Sequence, residues 1–163
     1  MPKQLSDSTK SKIEGALKKY PEPPAALLPV MNLVEKEIGV IDGEAEQMIA
    51  DICSTTRTKV HEAWTFYHMF ARKPRGKYHF RVCHNISCSL LGAENIIDLL
   101  LQEIGLEGEG TTEDGLFSFE RVECLAACGN APAMLVNEDW HEDLTEEKIR
   151  NLIQELRRKE GKA

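Results

Sequence analysis

The first 70 or so residues carry apolar side chains at the spacing of short amphipathic helices. One stretch places Leu27, Met31, Val34 and Ile38 on a single face and ends at Gly39. Apolar positions three and four residues apart line one side of a helix, and glycine commonly caps the C-terminal end. The pattern therefore predicts an N-terminal part built of helices that pack through one face each.

A further helix is predicted after Asp42, whose carboxylate can accept a hydrogen bond from the first turn. Ala45, Ile49 and Cys53 then fall on one stripe of this helix. Because the stripe is apolar, we interpret Cys53 as a buried thiol of the core rather than a reactive one.

The periodicity changes after a basic segment at residues 71–77, which contains a proline and a glycine and has no apolar repeat. Tyr78, Phe80 and Val82 then alternate with polar residues, as in a strand with one buried face. We place a boundary here, with an N-terminal helical segment at residues 1–75 and a second domain at residues 76–163.

The second domain mixes helical and extended patterns. Residues 88–104 have helical spacing with Gly105 as a stop, residues 107–115 are polar and glycine-rich, and Thr145 can cap a last amphipathic helix. Extended segments are predicted at 116–123 and 134–136, followed by a turn at 137–139. The order of elements indicates an α+β or α/β-like fold, with helices layered on a sheet.

Charge and composition narrow the range of partners. The chain of 163 residues has a formal charge of −7, so phosphate backbones and anionic membrane surfaces would repel it, which argues against nucleic acid as a partner. Its apolar runs are far shorter than the roughly 20 residues that cross a bilayer, so direct membrane insertion is not expected. Residues 1–12 lack the apolar core of a signal peptide, so we expect a cytoplasmic protein.

Four of the five cysteines form two pairs. Cys83 and Cys88 are separated by four residues, Cys124 and Cys128 by three, and each pair comes just after a predicted strand. Loops that follow adjacent strands are held firmly and can present four sulfurs to one centre. A 2Fe-2S cluster takes two thiolates on each iron, so the two pairs match its usual donor set.

The spacing alone leaves alternatives open. Structural zinc also accepts four cysteines at such intervals, and unrelated buried thiols remain possible. A Rieske centre needs two histidine ligands, whereas His84 has no matching partner beside the second pair. Cys88 is predicted to open a helix, where backbone N–H groups favour negative charge, and that placement suits an anionic cluster.

Several short motifs, together with the cysteine pairs, occur in one known family. They are Leu28-Pro29, Thr65-Phe66-Tyr67, Gly76-Lys77, Gly92-Ala93, Gly110-Thr111-Thr112, Glu123-Cys124-Leu125, Cys128-Gly129 and Ala131-Pro132. On these motifs the chain resembles the family of the 24-kDa, or E, subunit of bacterial NADH-quinone oxidoreductase (respiratory complex I), a thioredoxin-like 2Fe-2S ferredoxin. The resemblance runs over nearly the whole chain.

The resemblance implies a thioredoxin-like domain behind the helical segment. Cys83, Cys88, Cys124 and Cys128 would be the ligands of one 2Fe-2S cluster. The cluster would exchange single electrons with FMN on a partner flavoprotein (F) subunit, which also binds NADH. Through this and other subunits of the complex, the protein would be held at the cytoplasmic side of the inner membrane.

Two other functions remain compatible with the sequence. The first is the equivalent small subunit of an NAD-linked hydrogenase or formate dehydrogenase, and the second is an interaction module stabilised by zinc. One position departs from the family pattern, because Ala126 stands where the family more often has glycine. The backbone there must therefore tolerate a Cβ atom.

Overall fold

A computed structural model describes residues 4–161 of the chain, which divides after Pro74 into two compact units. Residues 1–3 and 162–163 lie outside the described residues. The first three residues of the segment 1–12, which was considered above as a signal peptide, are therefore not described. The first unit contains the helices α1 (Asp7–Leu17), α2 (Leu27–Ile38), α3 (Gly43–Ile52) and α4 (Arg57–Phe66), with a short 3-10 turn at Pro23–Ala26.

Polar caps start three of these helices. Ser6, Asp42 and Thr56 each accept a hydrogen bond from a backbone N–H in the first turn of α1, α3 and α4 respectively. Such caps satisfy donors that the helix itself leaves unpaired. The hydrogen bond to Asp42 confirms the predicted cap of α3. The apolar stripes meet in one core, which confirms the predicted core face. Its members include Val30, Met31, Val34, Ile49, Cys53, Val60 and Phe70.

The second unit is a mixed sheet covered by helices. Its elements, in chain order, are β1 (Tyr78–Cys83), α5 (Ile86–Leu90), α6 (Ala93–Ile104), β2 (Gly110–Thr111), β3 (Phe117–Val122), a 3-10 turn (Cys128–Asn130), β4 (Met134–Val136), β5 (Asp139–His141) and α7 (Glu146–Lys159). Within the described residues the strand order is β2-β3-β1-β4-β5. Helices combined with a mixed sheet confirm the α+β prediction.

The two central strands determine where the following loops emerge. β1 and β3 run parallel, with Tyr78 opposite Phe117 and Cys83 opposite Val122, while the other pairings are antiparallel. Alternate residues of β1, such as Phe80, turn towards α6 and α7 and join the largest core of this unit. Parallel neighbours require a crossover, and α5 and α6 supply it.

One sequence prediction about this unit is wrong. Residues 88–104 do not form a single helix, because the chain breaks at Gly92, which has a φ of 88° and separates α5 from α6. A left-handed glycine interrupts the helical ladder at no steric cost. Cys88 consequently lies inside the short α5, which begins at Ile86, rather than at the start of a long helix.

Two short strands were also missed. Residues 110–111, predicted as part of a loop, pair with β3, and Asp139–His141 returns from the predicted turn to pair with β4. Strands of two or three residues are too short for their alternation to be distinguished from a loop. No described helix has the length and apolar character needed to span a membrane.

A buried polar network lies on the sheet face opposite to Phe80. His79 is buried, with its Nδ1 atom 2.9 Å from the Ser118 hydroxyl oxygen and its Nε2 atom 3.2 Å from a Glu120 carboxylate oxygen. The Gly76 N–H donates to the same hydroxyl at 2.9 Å. The network ties β1 to β3 and satisfies polar groups that would otherwise be costly to bury.

This network makes stability depend on pH. Burial lowers the pKa of His79 below its ordinary value of 6.5, and the charges of Arg75 and Arg81 add to that effect, although Glu120 opposes it. The folded protein therefore favours the neutral imidazole. The stabilisation is complete above pH 6.5 and is lost as the pH falls from there through the pKa of the folded state.

We expect the free energy of unfolding to fall more steeply below pH 6.5 in the wild type than in His79→Gln, which cannot take up the proton. The measurement is a series of denaturant titrations between pH 5 and pH 8 on both proteins. Parallel pH profiles for the two proteins would contradict a neutral buried His79.

Candidate metal centre

The two cysteine pairs lie at one edge of the sheet. Cys83 is the last residue of β1, and Cys124 comes two residues after the end of β3. Because these strands are parallel neighbours in register, the loops that follow them leave from the same edge. The topology therefore brings the two pairs, which are far apart in sequence, to neighbouring positions.

The first pair is buried. Cys83 and Cys88 are each 3% exposed and pack with Ala93 and Ala131 in a small apolar cluster. Asn85 starts α5, with its side-chain oxygen accepting a 2.7 Å hydrogen bond from the N–H of the next residue. This cap begins the turn that returns Cys88 towards the end of β1.

Contacts across the edge link the two loops. The Cys83 thiol donates to the backbone oxygen of Glu123 at 3.2 Å. Burial raises the pKa of Cys88, a backbone hydrogen bond from Ala133 works against that rise, and the Cys83 and Cys128 thiols add to it. Both the other thiol of the first pair and one thiol of the second pair therefore act on Cys88.

The second pair is exposed. Cys124 and Cys128 both reach the surface, and Leu125 between them packs against the apolar cluster of the first pair. The Ala126 N–H donates to the Cys124 sulfur at 3.3 Å. Cys128 begins the 3-10 turn that leads to β4.

The donor set suits a cluster with thiolate ligands. All four cysteines are free thiols, and the first pair lies in apolar surroundings, where unpaired thiolates would be costly. Among residues 4–161, no three His, Cys, Asp or Glu side chains are drawn together closely enough to chelate a single metal ion. The topology places the four sulfurs at one edge of the sheet without gathering them into a ligand set, and their residue types fit iron with sulfide bridges.

The other residues considered from sequence lie elsewhere or have different contacts. Cys53 is fully buried in the core of the helical unit, as predicted, and burial raises its pKa to about 11. Its thiolate is therefore scarce near neutral pH. His84 lies 3.9 Å from a Glu123 carboxylate oxygen, an exposed group beside the second loop.

Sequence reasoning missed two features of this site. Ala126 has a left-handed backbone with a φ of 62°, and Ile86, Leu90 and Leu91 are 74%, 81% and 61% exposed around Cys88. For the left-handed backbone of Ala126 the sequence did hold a signal, because the family more often has glycine at this position. The second feature had none, because a few apolar residues in and beside a five-residue helix do not show from sequence whether their side chains face a core or solvent.

Comparisons with known proteins identify the family of this chain. A family model described as thioredoxin-like [2Fe-2S] ferredoxin matches residues 13–157. The E subunit of the NADH-quinone oxidoreductase of Rickettsia felis is 38% identical over 145 residues, which cover 87% of each chain. The second E subunit of the NADH-quinone oxidoreductase of Rhizobium meliloti is 35% identical over 148 residues, which cover 91% of this chain and 88% of the relative.

A solved structure shares the fold. A crystal structure of an NAD+-reducing [NiFe]-hydrogenase in the air-oxidized state superposes with a TM-score of 0.69 at 18% identity. The match covers 79% of this chain and 23% of the hydrogenase chain, so this protein spans about a quarter of that larger polypeptide. With a family model over most of its length and relatives above one-third identity, the chain belongs to the thioredoxin-like [2Fe-2S] ferredoxin family.

Proposed function

We propose that this protein is the electron-transfer subunit of the NADH dehydrogenase module of an NADH-quinone oxidoreductase. The observation that carries the proposal is that two free cysteine pairs follow the parallel strands β1 and β3 at the same edge of the sheet. The relatives named as E subunits of NADH-quinone oxidoreductases, which match over nearly their whole length, support the same assignment. The chain would act as one component of a multi-subunit oxidoreductase.

In this proposal Cys83, Cys88, Cys124 and Cys128 hold one 2Fe-2S cluster in the domain at residues 76–163, which follows a helical segment at residues 1–75 along the chain. The bound cluster supplies reversible one-electron chemistry. The buried first pair would keep water away from one side of the site, whereas the exposed second pair would leave the other side accessible. An accessible side is needed for electron exchange with another protein.

The partner would be a flavoprotein subunit that binds FMN and NADH. This sequence contains no G-x-G-x-x-G fingerprint of a dinucleotide-binding fold. Hydride chemistry would therefore take place on the partner, and this chain would accept or return single electrons. Through the partner and other subunits it would be held at the cytoplasmic side of the membrane.

The exposed aliphatic side chains around Cys88 would contact that flavoprotein. Ile86, Leu90 and Leu91 are among the most exposed large apolar residues of the described chain, and they surround a proposed ligand. Exposed apolar groups at such a site are typical of protein interfaces. Burying them on the partner would bring the flavin towards the cluster.

Leu90→Asp is expected to weaken binding of the flavoprotein by about tenfold to a hundredfold, because a charge would be buried without a partner. The iron content should not change. The measurement is the dissociation constant of the two purified subunits, with Gln154→Asp as a control that adds the same charge on the exposed side of α7. Equal affinities for the two variants would argue against this contact surface.

The proposed function is tested by anaerobic reconstitution with and without the flavoprotein. The isolated protein should contain two iron atoms and two sulfides per chain and should be bleached by dithionite but not by NADH. After the flavoprotein is added, NADH should bleach the cluster as well. Direct bleaching of the isolated protein by NADH would refute the division of roles, and one zinc atom in a colourless preparation would refute the cluster.

A second candidate function is the small subunit of an NAD-linked hydrogenase or formate dehydrogenase. It differs from the first in the other subunits of the complex. The fold that this protein shares with part of an NAD+-reducing [NiFe]-hydrogenase chain is compatible with this second candidate. Subunits that co-purify with the native protein distinguish the candidates. A nickel-containing or formate-oxidising subunit would favour the second, and subunits of a quinone-reducing complex would favour the first.

A further inference from the structure

Glu123 is the residue at which the two cysteine loops meet. It lies directly before Cys124, and its oxygen atoms face the first loop. The backbone oxygen accepts from the Cys83 thiol at 3.2 Å, and one carboxylate oxygen accepts from the Asn85 side-chain amide at 3.2 Å. The other carboxylate oxygen is 3.9 Å from the His84 Nε2 atom. A residue beside a proposed ligand of the second loop therefore faces consecutive residues of the first.

Asn85 uses both ends of its side-chain amide. Its oxygen accepts from the Ile86 N–H at 2.7 Å and so starts α5, the helix that carries Cys88. Its nitrogen donates to Glu123 in the other loop. Asparagine can do both at once because its amide group has an acceptor oxygen and a donor nitrogen. The position of Cys88 is therefore tied to the residue that precedes Cys124.

Neither side chain of this hydrogen bond belongs to the core. The Glu123 side chain is 82% exposed, and Asn85 is half-buried. A hydrogen bond at the surface adds little to the free energy of unfolding, because water can take the place of either partner. The contact therefore contributes little to the stability of the fold, whereas its place between the loops lets it act on the arrangement of the proposed ligands.

We propose that the hydrogen bond between Asn85 and Glu123 is a loop latch, which keeps the two cysteine loops together around the cluster and slows its loss. This inference rests on the proposed function. When an iron–sulfur bond opens, the freed thiolate either binds the iron again or moves away with its loop. Because the loop latch limits how far the loops separate, the thiolate stays at a high effective concentration near the iron. Rebinding is then favoured over capture of the iron by a chelator.

Two single variants remove the hydrogen bond and change the charge in opposite directions. Glu123→Ala removes the acceptor and a negative charge. Asn85→Asp keeps an oxygen for the cap of α5 but replaces the donor with a carboxylate, which repels Glu123. We expect each reconstituted variant to lose its cluster to EDTA about threefold to tenfold faster than the wild type does. An effect of charge alone would instead move the two rates in opposite directions.

A combined variant restores the hydrogen bond with donor and acceptor exchanged. When Asn85→Asp is joined with Glu123→Gln, the side-chain amide at position 123 can donate to the carboxylate at position 85, and the net charge equals that of the wild type. Its rate of cluster loss should return to within about twofold of the wild-type rate. Glu113→Ala is the control, because it removes an exposed carboxylate from the loop between β2 and β3. That variant should lose its cluster at the wild-type rate.

The rate is measured as the loss of visible absorbance after EDTA is added to the oxidised protein without oxygen. Wild-type rates in Glu123→Ala and Asn85→Asp, changes of opposite sign in the two, or no recovery in the combined variant would overturn the loop latch. An equally fast loss in Glu113→Ala would overturn it as well, because that residue is remote in sequence from both loops.

A variant that loads poorly is compared by its iron content after reconstitution. Low iron in both single variants with recovery in the combined variant supports the loop latch, whereas low iron in all three overturns it. The unfolding midpoints of the cluster-free proteins should agree within a few degrees. A midpoint of Glu123→Ala that falls together with its retention of the cluster would show a role in stability alone and would overturn the loop latch. Absence of iron from the wild type would instead overturn the proposed function.

Discussion

Replacing Cys124 with alanine is expected to lower the iron and sulfide content of the reconstituted protein by at least about tenfold and to remove its visible colour. With three thiolates, one iron would lack a ligand that the cluster needs. Cys124 is exposed, so its removal leaves little or no cavity, and a failure to fold would not explain the loss. Iron and acid-labile sulfide are measured after anaerobic purification.

Buried cysteines provide a matched pair for the same experiment. Cys88→Ala and Cys53→Ala each remove a sulfur from an apolar environment, at a similar cost in packing. We expect only Cys88→Ala to lose the cluster. Full iron in Cys124→Ala, or equal losses in the two buried variants, would show that the assigned ligands are wrong.

Gly76→Ala is expected to destabilise the second unit by about 3 kcal/mol. A Cβ atom at this position would clash with the Phe117 carbonyl carbon and stand 2.8 Å from the Ser118 nitrogen, both backbone atoms of β3. Backbone atoms in a central strand cannot move aside as a flexible side chain would. The hydrogen bond from the Gly76 N–H to the Ser118 hydroxyl would be displaced as well.

The measurement is the midpoint of thermal unfolding, which should fall by roughly 10 to 20 °C for a domain of this size. Gly108→Ala is the control, since its Cβ atom would meet no atom within 4 Å and its φ is not positive. That variant should unfold within a few degrees of the wild type. A midpoint for Gly76→Ala close to that of the control would contradict the close approach of the two strands.

The two units differ in net charge. Residues 1–74 hold equal numbers of basic and acidic side chains, so the whole formal charge of −7 belongs to residues 75–163. Negative charge around the proposed centre disfavours the addition of an electron, whereas N–H groups directed at the sulfurs favour it. At a bound cluster, a local donor such as the Ala126 N–H would therefore favour reduction, whereas the net negative charge of the same domain would disfavour it.

Local patterns in the sequence were sufficient where one element determines its own structure. The alternation of Tyr78, Phe80 and Val82 identified β1, and the acceptor at Asp42 located the start of α3. The prediction failed at Gly92, because the apolar spacing on either side continued across the break. A pattern of side chains does not report the backbone angle of a glycine.

The amino-acid sequence by itself determined the α+β class, the grouping of four cysteines into two pairs and the family, because these depend on residue types and on their spacing along the chain. Only the tertiary structure decided that the two loops leave the same edge of the sheet, that the first pair is buried and the second exposed, and that Ala126 directs an N–H at Cys124. Parallel pairing of β1 with β3 joins segments 39 residues apart in register (Tyr78 with Phe117). Such long-range contacts, and the backbone angles they impose, arise from packing of the whole domain, which no local pattern contains.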